Sequence, residues 1–279
     1  MSGRVELLLK NKKLQVYLGI AIIIIMLGLV GPFFTRDPSK ILVGGIYESP
    51  SSEFLLGTDM AGRDIFAQLC NAIRDSLMVG IIAGFSAVGI AIIIGGVLAY
   101  KGGIIDEGAN VITNVFLTLP QLVILMVVAS LLGKRSLIIV AILIGLFSWP
   151  WMARSIRSQL LSLKERKFVD LCRISGKSDF VIVVKEILPN MLAYIFLLLI
   201  IGISSAVIVE SGISVLGLGP TEGFTLGKML NLVIRHEAVQ QGIWWYFIPP
   251  GLVLVVFTGS LLMITAVIDD VLNPKTREI

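Results

Sequence analysis

Apolar residues in this chain gather into six long runs separated by polar segments of very unequal size. The runs cover Leu14–Phe34, Ser76–Tyr100, Ala109–Leu132, Leu137–Met152, Met191–Val209 and Trp244–Ile268. About 20 apolar residues cross a ~30 Å hydrocarbon layer as an α-helix. The pattern therefore predicts an all-α polytopic membrane protein with six transmembrane helices. The first run comes after Arg4, Lys10, Lys12 and Lys13, an order that imitates a signal peptide. Its apolar core is longer than the roughly 7–15 residues of a signal sequence, and no small-x-small site precedes Pro32. A retained first helix is expected.

Two runs carry features of their own. Gly80 and Gly84 stand one helical turn apart in the second, a spacing that lets two membrane helices approach closely, although glycine is common in such helices anyway. The third is interrupted by Pro120, with Gln121 beside it. A mid-span proline frees a backbone carbonyl and bends the helix, which suits either a solute path or simple packing.

The polar segments set domain organisation and orientation. Residues 1–34 form the N-terminus and first helix, 35–75 a segment outside the membrane, 76–270 a core of five helices, and 271–279 a tail. Within the second of these, LLGTDMAGRD (Leu55–Asp64) predicts a short amphipathic helix along the membrane surface, capped by Thr58 or Asp59 and running through Arg63, Phe66, Leu69 and Ile73. The longest polar insertion of the C-terminal half, Arg154–Asn190, holds Arg154, Arg157, Lys164, Arg166, Lys167, Arg173, Lys177 and Lys185. Basic loops stay in the cytoplasm. With this loop and both termini inside, fifteen of the 23 basic residues fall on the cytoplasmic side.

That loop is patterned. Residues 166–175 read as a helix with Phe168, Leu171 and Cys172 on one face and Val169 adjoining. Gly176 is a left-handed stop, and Ser178 or Asp179 an N-cap for the next helix. Phe180, Val184, Ile187 and Leu188 recur at helical spacing, although the VIVV run also suits a strand. Pro189 and Asn190 mark entry into the next span. An apolar knob flanked by charge on a short helix suits a groove in another protein; a helix pair resting on the membrane is the competing reading.

Composition narrows the chemistry. At 56% hydrophobic and 15% charged residues, the chain is too apolar for a soluble domain, and its basic residues form no stripe for nucleic acid. Cys70 and Cys172 fall on opposite membrane faces, so no disulfide is expected. The one histidine, His236, lacks a second at metal-binding spacing and reads as a solvated loop residue. GFTLGK (Gly223–Lys228) has three residues between its glycines rather than four, and Met229 where a magnesium-binding hydroxyl would be needed. No catalytic residue, cofactor site or metal site is expected. Glu210, at the outer end of the fifth span, is the main charge at membrane depth; it suits a functional role, or a structural one reaching headgroups or a loop amide. A carrier working alone on an ion gradient would place more charge at mid-depth.

Against this background, FVDLCRISG with ILPN ten residues later (Phe168–Asn190) resembles the EAA loop of ATP-binding-cassette (ABC) importer permeases. Asp170 stands for the Glu, and Leu171 and Cys172 for the two alanines; Gly176 and Leu188-Pro189 match. LLGTDMAGRDIFAQL, ESGISVLGLGP (Glu210–Pro220), WWYFIPPGL and the closing DDVLNPKTR are similar to stretches of the dipeptide, oligopeptide and nickel permease family, in its second, C-type subunit. The chain departs from the family in lacking both alanines, in Glu186 before Ile-Leu-Pro, and in a short TEGFTLGKML stretch after Pro220.

The resemblance implies a type I ABC-importer permease fold in the cell membrane, importing peptides, or nickel or oligosaccharides by the same architecture. It implies a homologous B-type permease, two cytoplasmic ATP-binding subunits that hold ATP and Mg, an external solute-binding protein and membrane lipid as partners. Phe168, Val169, Asp170, Leu171, Cys172, Gly176, Leu188 and Pro189 would form the ATPase-coupling loop, with Phe168 and Leu171 buried in the ATPase. Pro120, Gln121 and Glu210 are the candidates for path or structural roles.

Overall fold

The computed structural model describes residues 11–272, and every regular element among them is helical. Helix α1 (Lys12–Phe34) is capped by Asn11, whose Oδ1 accepts from the Lys13 and Leu14 amides. α2 (Ile65–Lys101) is followed by α3 (Gly103–Thr118) and α4 (Gln121–Leu131). α5 (Leu137–Lys164), the short α6 (Lys167–Ile174), α7 (Asp179–Val215), α8 (Leu226–Arg235) and α9 (Trp244–Leu272) complete the order. Five of these are long and apolar enough to cross a membrane, and α3 with α4 makes a sixth span if the pair is taken as one.

The third span is broken rather than bent. Its two halves meet at 84°, because Pro120 fixes its own φ and drives Leu119 into extended backbone, at ψ 132°. At 16 and 11 residues, neither half has the length of a full crossing.

The surface helix expected at residues 58–73 is not a separate element. Asp64, not Thr58 or Asp59, is the cap, accepting from the Phe66 and Ala67 amides, and the helix it starts continues through the second span to Lys101. The boundary expected between residues 75 and 76 therefore falls inside α2. Ile65, Leu69 and Ile73 are buried by α1, α8 and α9 rather than by lipid. Thr58 and Asp59 instead hold the preceding loop: Asp59 accepts from the Ala61 and Arg63 amides, Arg63 Nε and Gln68 Nε2, at 2.7–3.0 Å.

The loop at 154–190 also contracts. α5 runs to Lys164 and α7 begins at Asp179, so only residues 165–178, with α6 among them, lie between the two long helices. The VIVV run is helical, widened to a π turn over Ile182–Ile187. Pro189, just beyond, cannot donate to the Lys185 carbonyl, and a wider turn lets the helix pass it.

Glycines set the close approaches. A Cβ on Gly84 would meet Ile203 of α7 at 2.9 Å, and one on Gly80 would meet Val207 at 2.8 Å. Gly80 and Gly84 therefore pack against a neighbouring helix. Gly95, in the π segment Ile92–Leu98 of α2, lies so near the Ala153 carbonyl of α5 that any side chain would collide with it.

The two ends of α2 mark the two ends of the bundle. One apolar cluster joins its C-terminal half to α5, α6 and the start of α7; another joins its N-terminal turns to α1, α8 and α9.

Candidate functional site

At the first end, α6 is fixed by few but specific contacts. Helical geometry turns 100° per residue, so Val169 and Leu171 point in nearly opposite directions. Val169 is fully buried in the cluster formed by Tyr100, Ile156, Leu160, Ile182 and Ile187, and Phe168 and Cys172 lean on that cluster. The single apolar face expected for Phe168, Leu171 and Cys172 is thus divided: Phe168 and Cys172 turn inward, and Leu171 faces out. Leu171, Ile174 and Phe180 are 64%, 83% and 66% exposed.

The helix ends as its sequence dictates. Gly176, at φ +77°, donates to the Arg173 carbonyl, and the Lys177 amide donates to that of Cys172. These are the paired bonds of a left-handed glycine stop. Two residues later, Ser178 in extended backbone opens α7. Leu188 is half-buried against the cluster and Pro189 is exposed.

Charge surrounds this knob. Asp170 pairs with Arg173 at 3.2 Å, and Lys177 with Glu186 at 2.5 Å. The bond to Glu186 raises the Lys177 pKa above the ordinary lysine value. Lys164 donates to the Tyr100 carbonyl at 2.5 Å and sits over its ring, tying the end of α5 to the end of α2. Arg157 grips Asp106 of α3 through two bonds of 2.9 and 2.7 Å, and Arg154 donates to Asn114 Oδ1 at 2.6 Å. Several basic residues that mark the loop's side are thus also its internal braces.

The other candidates lie elsewhere. Pro120 forms the elbow between α3 and α4, and Gln121 donates to Ser148 Oγ of α5 at 2.8 Å. Glu210 is 0% exposed. Burial inside the chain keeps it from headgroups, and its partners are two hydroxyls rather than a loop amide. Ser214 and Thr225 donate to its Oε1 at 2.5 and 2.7 Å, while Oε2 is buried without a hydrogen-bond partner among the described residues. Thr225 also caps α8 through the Lys228 amide at 3.1 Å.

The Gly223–Lys228 loop uses its amides internally. Phe224 N–H donates to Asp75 Oδ2 and Leu226 N–H to Ser76 Oγ, each at 3.0 Å. Local sequence could not show these pairings, which join residues about 150 positions apart.

Residues 76–278 match the family model described as binding-protein-dependent transport system inner membrane component. The chain is 31% identical over 273 residues to the dipeptide transport system permease protein DppC of Bacillus subtilis (strain 168), covering 96% of this chain and 83% of that one. It is 28% identical over 270 residues to the oligopeptide transport system permease protein OppC of the same organism, covering 96% and 87%. A putative peptide permease protein of Brucella suis biovar 1 (strain 1330) is 31% identical over 241 residues, 86% of this chain and 79% of that one.

Proposed function

Because this chain belongs to the family of inner membrane components of binding-protein-dependent transport systems, we propose that it is the C-type permease subunit of an ABC importer for peptides. It forms half of the translocation path beside a homologous B-type permease. An external binding protein delivers the solute, and two separate cytoplasmic subunits bind ATP and Mg and hydrolyse the nucleotide. Both termini and the α5–α7 connection face the cytoplasm. The similarity to dipeptide and oligopeptide permeases supports the solute class, and the excess of basic residues at the α6 end supports the orientation.

The observation that carries the coupling role is the two-sided character of α6. Its inner face is locked into the subunit by Val169, while Leu171, Ile174 and the neighbouring Phe180 stand in water among charged side chains. Burying each in a partner's groove would contribute about 1.5–3 kcal/mol if fully desolvated. Lys167, Asp170, Lys177 and Asp179, all exposed, ring these side chains with charge, as suits the polar rim of a protein interface. Asp170–Gly176 then seats in the ATPase, Leu188 and Pro189 carry its movement into α7, and closure of the nucleotide-binding pair shifts the bundle between inward and outward access.

A cysteine at exposed Lys177 in the assembled transporter tests the placement. Crosslinking to an ATP-binding subunit is expected, with a yield that changes on ATP binding. Absence of crosslinks from position 177 and from its exposed neighbours would count against docking.

A further inference from the structure

The end of the bundle opposite α6 contains a cavity that the coupling role does not use. It has a volume of about 230 Å³ and lies among Arg135, Ser214, the 217–221 loop, Lys228, Asn231 and Arg235. Three of its lining residues are cationic and none is acidic. No carboxylate among the described residues is in ion-pair contact with any of the three. Asp75 and Glu222 act on Lys228 only through space.

The cations are held in different ways. Arg135 is committed to backbone: its guanidinium donates to the carbonyls of Gly219, Ala129, Leu132 and Gly217 at 2.9–3.4 Å. Those bonds fix its position and leave its charge unneutralised. Lys228 donates to the Gly223 and Thr221 carbonyls at 2.6 and 3.2 Å, which leaves one of its three N–H groups free. Burial, with Arg63 nearby, pushes its pKa below the ordinary lysine value, so an anion beside it would be stabilising. Arg235, exposed at the end of α8, lies over Gly217, where a Cβ would meet its Nη2 at 3.0 Å, and its guanidinium has no hydrogen bond or ion pair among the described residues.

The wall of the cavity is built rather than incidental. Glu210 holds Ser214 on its floor and Thr225 behind it. Gly217, at φ +82°, turns the loop, and a side chain on Gly219 would collide with Ser214. Gly227 lets α8 approach α7 until a Cβ would meet Ser211 Cα at 2.5 Å. Asn231 fastens α8 to the Val215 carbonyl at 2.7 Å.

Resting on the peptide reading above, we infer that this cavity is a carboxylate subsite that receives the C-terminal carboxylate of the peptide at the outer end of the path. Arg235 and Lys228 supply the donors, and Arg135 supplies fixed charge. A guanidinium recognises a carboxylate in a planar, charge-assisted geometry, and the volume suits a terminal residue rather than a whole peptide.

The test uses the assembled importer. Vesicle uptake of trialanine is compared with that of its C-terminal amide, for wild type, Arg235→Gln and Lys228→Gln. The acid-to-amide uptake ratio should fall about tenfold in each variant, as loss of one charge-assisted contact implies. An unchanged ratio, or equal loss for both peptides, overturns the inference while leaving peptide transport intact. No uptake of either peptide by the wild type would overturn the peptide reading, and the subsite with it.

A second measurement removes the receptor's own preference. In phosphatidylcholine nanodiscs without the binding protein, trialanine but not its amide should raise the melting midpoint, and Arg235→Gln should abolish the rise. If only phosphatidylglycerol raises the midpoint, and Arg235→Gln removes that rise, the cavity holds a lipid headgroup and the inference is wrong.

Discussion

The two ends of this bundle handle polarity in opposite ways. At the α6 end, apolar side chains stand in water while charges are paired around them: Asp170 with Arg173, Lys177 with Glu186, Asp106 with Arg157. At the α8 end, polar groups are buried and cations are left unneutralised: Glu210 is sealed in, and Arg135, Lys228 and Arg235 share a cavity without an acid. An exposed apolar knob gains from a protein surface, and an unneutralised basic cavity gains from an anion. One subunit is thus open to two chemically distinct kinds of partner.

The sharpest test of the contrast is to put charge on the knob. Asp170→Arg with Leu171→Arg should leave the protein inserted, because both side chains are exposed and the Asp170 ion pair is a surface one. Losing the burial of one leucine, about 1.5–3 kcal/mol, corresponds to docking weakened by roughly 10- to 150-fold, before repulsion is added. Substrate-stimulated ATPase of the reconstituted complex should fall accordingly; full retention would break the assignment of the α6 end.

The second test belongs to the other end and reads stability rather than docking. Glu210→Ala leaves the Ser214 and Thr225 hydroxyls buried without their acceptor, at about 1–3 kcal/mol for each group left unsatisfied. Denaturant titration of the purified subunit should show that loss, with Glu210→Gln closer to wild type because an amide oxygen can still accept both bonds. Equal destabilisation by Ala and Gln would mean that charge, rather than the acceptor, holds the clasp.

The smallest effect is expected at Lys177. Its partner Glu186 raises its pKa, so the pair is intact at neutral pH. Its contribution is lost only as pH climbs through the raised lysine value. Both groups reach solvent, so Lys177→Ala should leave the unfolding midpoint unchanged. A clear shift would show that this surface pair braces the α6 turn.

Much of the fold was legible in the chain because its signals are local. The apolar runs located the spans, and Gly176 with Ser178 marked the end of one helix and the start of the next. Where helices continue through polar stretches, at Arg74–Asp75, beyond Met152 and before Met191, hydropathy reports the change of surroundings rather than the end of the helix. In the first case the surroundings are other parts of this chain.

The candidate site divides in the same way. The α6 segment could be picked out from its own residues, but the turn of Phe168 and Cys172 inward depends on Tyr100 and Ile182, which no local pattern supplies. Arg135, Lys228 and Arg235 register in the sequence only as charges that report orientation. Their common cavity exists because the 217–221 loop folds back over α8.

Helix α7 joins these two ends without a break. It has 37 residues, about 55 Å of helix at 1.5 Å per residue. It starts three residues after the Gly176 stop and carries Glu210 near its far end. Such an element acts as a lever. A tilt of about 5° around its midpoint would carry each end roughly 2.4 Å in opposite directions, by the same rise per residue. That exceeds the tolerance of a hydrogen bond. Glu210 and Ser214 ride on α7 together, so a small rocking at α6 would spare the bond between them and fall on the one from Thr225, which stands at the start of α8.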